Sequence, residues 1–155
     1  MPSWRSGARR VPSTRLNYTA LGDTVNLASR LEGVNKIYGT TIIIGHAARV
    51  AAGDRISARE LDAVAVYGRS EGVRIYELIG LQAESDVVPG WIAAYEEALS
   101  LYRAGRFETA LEKLDLVERL RPGDEPARRL ATRCRGLLAE PLSSGWVPVT
   151  MLDTK

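Results

Sequence analysis

Asn26 and Arg30 stand four residues apart in the run Thr-Val-Asn-Leu-Ala-Ser-Arg-Leu-Glu. If that run is helical, their side chains lie on one flank, beside the apolar stripe that faces the core. Arginine supplies a planar, permanently charged fork suited to phosphate oxygens, and asparagine can hydrogen-bond an oxygen of the same ligand. Together they could hold a phosphorylated ligand, although on spacing alone such a pair is most often solvated surface. Few other side chains offer chemistry. With one histidine, His46, and one cysteine, Cys134, the chain can form no intramolecular disulfide, lacks the usual zinc clusters and is poorly suited to a histidine-centred triad.

The elements that must carry this pair follow from periodicity. Leu16 to Leu21 reads as a short strand stopped by Gly22, and Asp23 or Thr24 is placed to cap the next helix. Leu27, Ala28, Leu31, Val34 and Tyr38 then recur at three- and four-residue intervals, predicting a helix over Thr24 to Tyr38 that Gly39 ends. Thr40 to Ile44 is a β-branched strand, His46 to Ala52 a short Ala-rich helix, and Ser57 to Tyr67 and Val73 to Ile79 two further strands. Residues 82–87 are polar and lead to Pro89-Gly90, which marks a linker. Beyond it, Trp91, Tyr95, Leu99 and Tyr102 predict one helix, Phe107 to Val117 a second and Glu125 to Leu138 a third. Residues 141–155, with Gly145 and Pro148, read as an extended tail.

Composition narrows the classes. A hydrophobic content of 45% suits a packed globular chain, and a net charge of +2 gives no argument for nucleic-acid binding. The excess of base sits in Arg5, Arg9, Arg10 and Arg15, within a segment of residues 1–13 and its edge that has no regular period and reads as disordered. No apolar run approaches the roughly 18 residues needed to span a bilayer. A reducing, cytoplasmic setting is expected.

The string Leu-Asn-Tyr-Thr-Ala-Leu-Gly-Asp-Thr-Val-Asn-Leu-Ala-Ser-Arg-Leu-Glu-Gly, residues 16–33, closely resembles the strand, turn and helix of class III adenylate/guanylate cyclases. The likeness runs over residues 14–81, through Ile-Tyr-Gly-Thr-Thr-Ile to Val-Arg-Ile-Tyr-Glu-Leu. It implies an α+β architecture, the C-terminal half of a ferredoxin-like nucleotide cyclase domain, acting at a dimer interface on ATP to give cyclic AMP and pyrophosphate. By the same resemblance Asn26 orients the ribose as its 3′-hydroxyl attacks, Arg30 stabilises charge developing on the phosphate, and Thr19 helps recognise the purine. The family's Val-Lys-Gly-Lys or Val-Lys-Gly-Arg turn is Val66-Tyr67-Gly68-Arg69 here. Tyr67 replaces the lysine that reaches the triphosphate, so either Arg69 compensates or that contact is lost.

The two aspartates with which the family holds Mg²⁺ or Mn²⁺ belong to the first half of its domain, which residues 1–12 do not resemble. The expectation is therefore a chain with no metal ligands of its own, inactive alone, with half a sheet whose edge and one apolar face lie open. Residues 88–140 resemble a TPR motif in Ala98, Gly105, Ala110, Leu114, Val117 and Pro122, as do helical tails that follow the domain in some membrane-anchored bacterial relatives. A single repeat cannot bury both its faces, so this all-α segment is expected to dock on the rest through Trp91, Tyr95 or Trp146 and to offer a surface to a protein partner. The rival reading is a non-catalytic interaction module built from a remnant cyclase fold and these helices.

Overall fold

Leu31, Val34 and Tyr38 are buried together along helix α1, residues 31–38, and Gly39 ends it in the left-handed region at φ +63°. A side chain at Gly39 would also meet Cβ of Glu125 at 3.1 Å, so the turn needs glycine for both conformation and space. These are observations on a computed structural model that describes residues 31–66, 71–83 and 86–152.

Strand β1 (Ile43–Gly45) and helix α2 (His46–Ala52) follow, then a single 3-10 turn at Gly53–Arg55. The long strands β2 (Ile56–Val66) and β3 (Val73–Leu81) pair antiparallel, and β1 pairs antiparallel with β3 on its other side. Helices α3 (Gly90–Arg103), α4 (Phe107–Leu120) and α5 (Glu125–Ala139) come next. The chain closes with β4 (Thr150–Leu152), which lies parallel to β2 and completes a four-stranded sheet in the order β1-β3-β2-β4. The described residues thus form a mixed α/β fold of four strands and five helices.

The interval between Glu60 and Asp62 contains the feature on which the packing depends. Glu60 pairs with Tyr76 and Asp62 with Ile75, so Leu61 is an extra residue, a β-bulge. Side chains alternate along a regular strand, which would send Arg59 and Asp62 to opposite faces. Because Arg59 pairs with Glu77 and Asp62 with Ile75, the bulge returns both to one face. There α1 buries Leu31, Val34 and Tyr38 with Leu61, Val64 and Ile75. A second core lies inside the helical segment, where Tyr95, Leu99 and Tyr102 of α3 meet Phe107, Leu114 and Val117 of α4 and Leu130 and Cys134 of α5.

Two expectations change. Within residues 141–152 the expected extended tail includes a strand, since Thr150–Leu152 joins the sheet and Leu152 is buried in the α1 core. The β2 edge is not left open. Beside β4, the Tyr95 hydroxyl donates to the Leu61 carbonyl at 2.7 Å and the Glu60 amide donates to Glu96 Oε1 at 3.0 Å. Helix α3 therefore meets backbone groups that would otherwise invite another strand. Trp91 and Tyr95 do face the sheet, over the Arg59 guanidinium. Trp146 instead packs edge-on against Tyr102 and Phe107, within the helical core.

Burial sets an alkaline limit on this arrangement. It raises the pKa of Tyr38, Tyr95 and Tyr102, with Asp62 adding to all three, and it pushes the Cys134 thiol up to about 11. Phenol and thiol are neutral when protonated, so their burial contributes stability that is complete below the unfolded values of roughly 8.5 and 10 and is lost as pH climbs toward the folded ones. Phenolate absorbance from these three tyrosines is expected to appear together with loss of helical ellipticity in an alkaline titration. Ionisation well before the ellipticity falls would contradict that burial.

Candidate functional site

Thr19, Asn26, Arg30 and Arg69, the residues that sequence reading singles out, lie outside the described residues. The described chain on either side is informative. Leu31, which follows Arg30 in sequence, and Val73, which opens β3 four positions after Arg69, line one cavity of about 470 Å³ together with Asn35, Ile42 and Ala47. Leu31 and Val73 therefore lie on the same part of the molecule.

Sequence reading missed two buried charge centres. Arg59 has 0% exposure. Its Nε donates to Glu77 Oε2 at 3.0 Å, its Nη2 to the same oxygen, and its Nη1 to Asp124 Oδ2 at 2.7 Å. Its carbon centre lies 4.8 Å from the Trp91 ring centroid and 4.6 Å from that of Tyr95. Burial works against the charge, but Asp124 and Glu77 outweigh it and raise the pKa of the guanidinium. Asp124 is also the N-cap of α5, accepting the Ala127 amide at 3.1 Å. One carboxylate thus caps a helix and anchors it to the sheet.

Asp62, also with 0% exposure, forms the second centre. Its Oδ2 accepts the Tyr38 hydroxyl at 2.6 Å and the Thr150 hydroxyl at 2.7 Å and forms a salt bridge with Arg133 Nη2 at 2.9 Å, while Oδ1 accepts the Ala63 amide at 2.8 Å. Arg133 Nη1 donates in turn to Thr150 Oγ1 at 2.8 Å. The Arg59 guanidinium and both oxygens of Asp62 are engaged, so neither group is free to transfer a proton.

The same pairing bears on whether the described carboxylates could hold a metal. Asp62, Glu77 and Asp124 are held by arginines, the Asp86 carboxylate accepts the Ala83 amide, and among the described residues no group of three or more His, Cys, Asp and Glu side chains could hold an ion. These residues do not fit a two-metal site.

The chain is a mixed α/β protein related to adenylate cyclases. It is 37% identical over 125 residues to the terminal-differentiation-specific adenylate cyclase of Dictyostelium discoideum, covering 77% of this chain and 6% of that one. It is 48% identical over 67 residues to adenylate cyclase 1 of Rhizobium meliloti (strain 1021), covering 43% and 10%. Identity with the adenylate cyclase of Anabaena cylindrica is 38% over 69 residues, covering 43% and 14%. The chain thus spans between 6% and 14% of the length of these curated relatives. A stretch covering 77% of this chain, wherever it starts, includes β2, β3 and α3, so the first similarity takes in part of the helical segment as well as the sheet. No family model matches, and no solved structure matches. No described helix is long and apolar enough to cross a membrane.

Proposed function

We propose that this chain supplies the base-reading and transition-state side of a class III adenylate cyclase site, within a partial ferredoxin-like cyclase domain that converts ATP to cyclic AMP and pyrophosphate. The observation that carries the reading is the contiguous run of residues 16–33 in a chain related at 37–48% identity to adenylate cyclases. The convergence of Leu31 and Val73 on one cavity supports it. Thr19 meets the purine and Asn26 orients the ribose. Arg30 faces the phosphate under attack by the 3′-hydroxyl, and Arg69 takes up the triphosphate contact that Tyr67 cannot make. Mg²⁺ or Mn²⁺ serves the complete domain, with ligands supplied from outside this chain. The partner that completes the site is a second cyclase-type chain, and the TPR-like helices are available to a protein partner.

A titration of the 155-residue chain with a non-hydrolysable ATP analogue and Mg²⁺ tests the reading against its rival. Amide resonances of Thr19, Asn26 and Arg30 are expected to shift, and Arg30→Ala is expected to weaken the response. A chain whose spectrum ignores the nucleotide would instead be an interaction module.

A further inference from the structure

We propose that Asp62 is a positioning residue through which the C-terminal strand and α5 hold α1, whose described residues begin at Leu31, next to Arg30 in sequence. Four elements meet on this one carboxylate: Tyr38 from α1, Ala63 from β2, Arg133 from α5 and Thr150 from β4. Two hydroxyls donate to Oδ2, Arg133 Nη2 pairs with it as a salt bridge, and Thr150 Oγ1 both accepts from Arg133 and donates to Asp62. Leu152, two residues beyond Thr150, is buried against Leu31, Val34 and Tyr38. The last strand thus gives α1 both a polar anchor, relayed through Asp62, and part of its apolar seat.

The physical argument rests on the cost of partial satisfaction. A buried carboxylate with all its donors in place is tolerated, whereas one that loses a donor must move or admit water. Strand β4 pairs only three residues with β2, so its hold on the sheet is short. Displacing it removes the Thr150 hydroxyl from Asp62, the Thr150 partner from Arg133 and Leu152 from the core beneath α1. Helix α1 then loses the geometry that fixes its last turn, at Tyr38, and its register against β2. An event at the C-terminal segment is in this way transmitted to the helix adjoining Arg30. The consequence for turnover rests on the function proposed above, whereas the coupling between β4 and α1 does not.

Hydrogen exchange separates local coupling from general loss of stability. Thr150→Val keeps the β-branched shape and removes only the hydroxyl. In the 155-residue chain it is expected to speed exchange of amides 31–38 on the order of tenfold more than those of α4. Thr150→Ser restores the hydroxyl and is expected to restore protection. Tyr38→Phe, which deletes the other hydroxyl on Oδ2, is expected to reproduce the localised effect and serves if Thr150→Val fails to fold. Unchanged exchange at 31–38 in both variants, or equal acceleration in α4, would overturn the proposal. In a longer chain that makes cyclic AMP, Thr150→Val is expected to lower kcat with KM held, and Thr150→Ser to rescue it. Localised exchange without a change in kcat would keep the coupling and remove the reading of Arg30.

Discussion

Arg59→Met is expected to lower the unfolding free energy by about 3–5 kcal/mol, the usual cost of leaving partners of a buried ion pair uncompensated. Methionine replaces much of the apolar stem but none of the donors. Glu77 and Asp124 would then face each other across the seam between β3 and α5, with 10% and 2% of their side chains exposed. Asp124 would still cap α5 through the Ala127 amide, so the loss falls on the junction between sheet and helices. Stacking over Trp91 and Tyr95 would go as well. A single domain has only about 5–15 kcal/mol in total, so the urea midpoint should fall steeply. Arg59→Lys should recover only part of it, because an ammonium cannot fork between two carboxylates. Neutralising the partners, with Glu77→Gln and Asp124→Asn added to Arg59→Met, should recover more than Arg59→Lys. A loss below about 1 kcal/mol for Arg59→Met would place the guanidinium in water rather than at the seam.

Arg30→Ala should lower turnover on the order of a hundredfold to a thousandfold in a longer chain that also carries the metal-binding carboxylates, the equivalent of about 3–4 kcal/mol of transition-state stabilisation. Negative charge gathers on the phosphate as the 3′-oxygen attacks and pyrophosphate leaves. A fixed guanidinium therefore gains most at that moment and comparatively little in the ground state. Affinity for ATP should change far less than turnover. Arg30→Lys should rescue only in part, keeping charge without the planar fork, and Asn26→Ala should act in the same direction through the ribose.

Much of this protein is legible in its sequence. The strands expected at Ser57 to Tyr67 and Val73 to Ile79 are found at Ile56–Val66 and Val73–Leu81, and Glu125 to Leu138 at Glu125–Ala139, because period and turn residues act locally. The run from Asn26 to Arg30 is equally plain as a motif. What stayed hidden depends on register and on distance along the chain. Nothing local announces the bulge at Leu61, so alternation alone separates Arg59 from Asp62. Thr150–Leu152 pairs with residues 64–66 across more than eighty positions, and three residues after a proline carry too little pattern to announce a strand. Arg133 reads as one more charge on a basic helix until Asp62 and Thr150 are seen beside it. The cover on β2 was hidden for the same reason, since it comes from Tyr95, Glu96 and β4.

The central claim is that this chain carries the transition-state side of a cyclase site, and single-turnover formation of cyclic AMP tests it most directly. The comparison is between the longer chain and its Arg30→Ala variant, with equilibrium affinity for an ATP analogue measured on both. The account predicts a rate at least about a hundredfold lower for the variant, with affinity within roughly threefold of the parent. Rates that agree within about threefold, with helicity intact, would return Arg30 to the solvated surface and leave the chain as an interaction module.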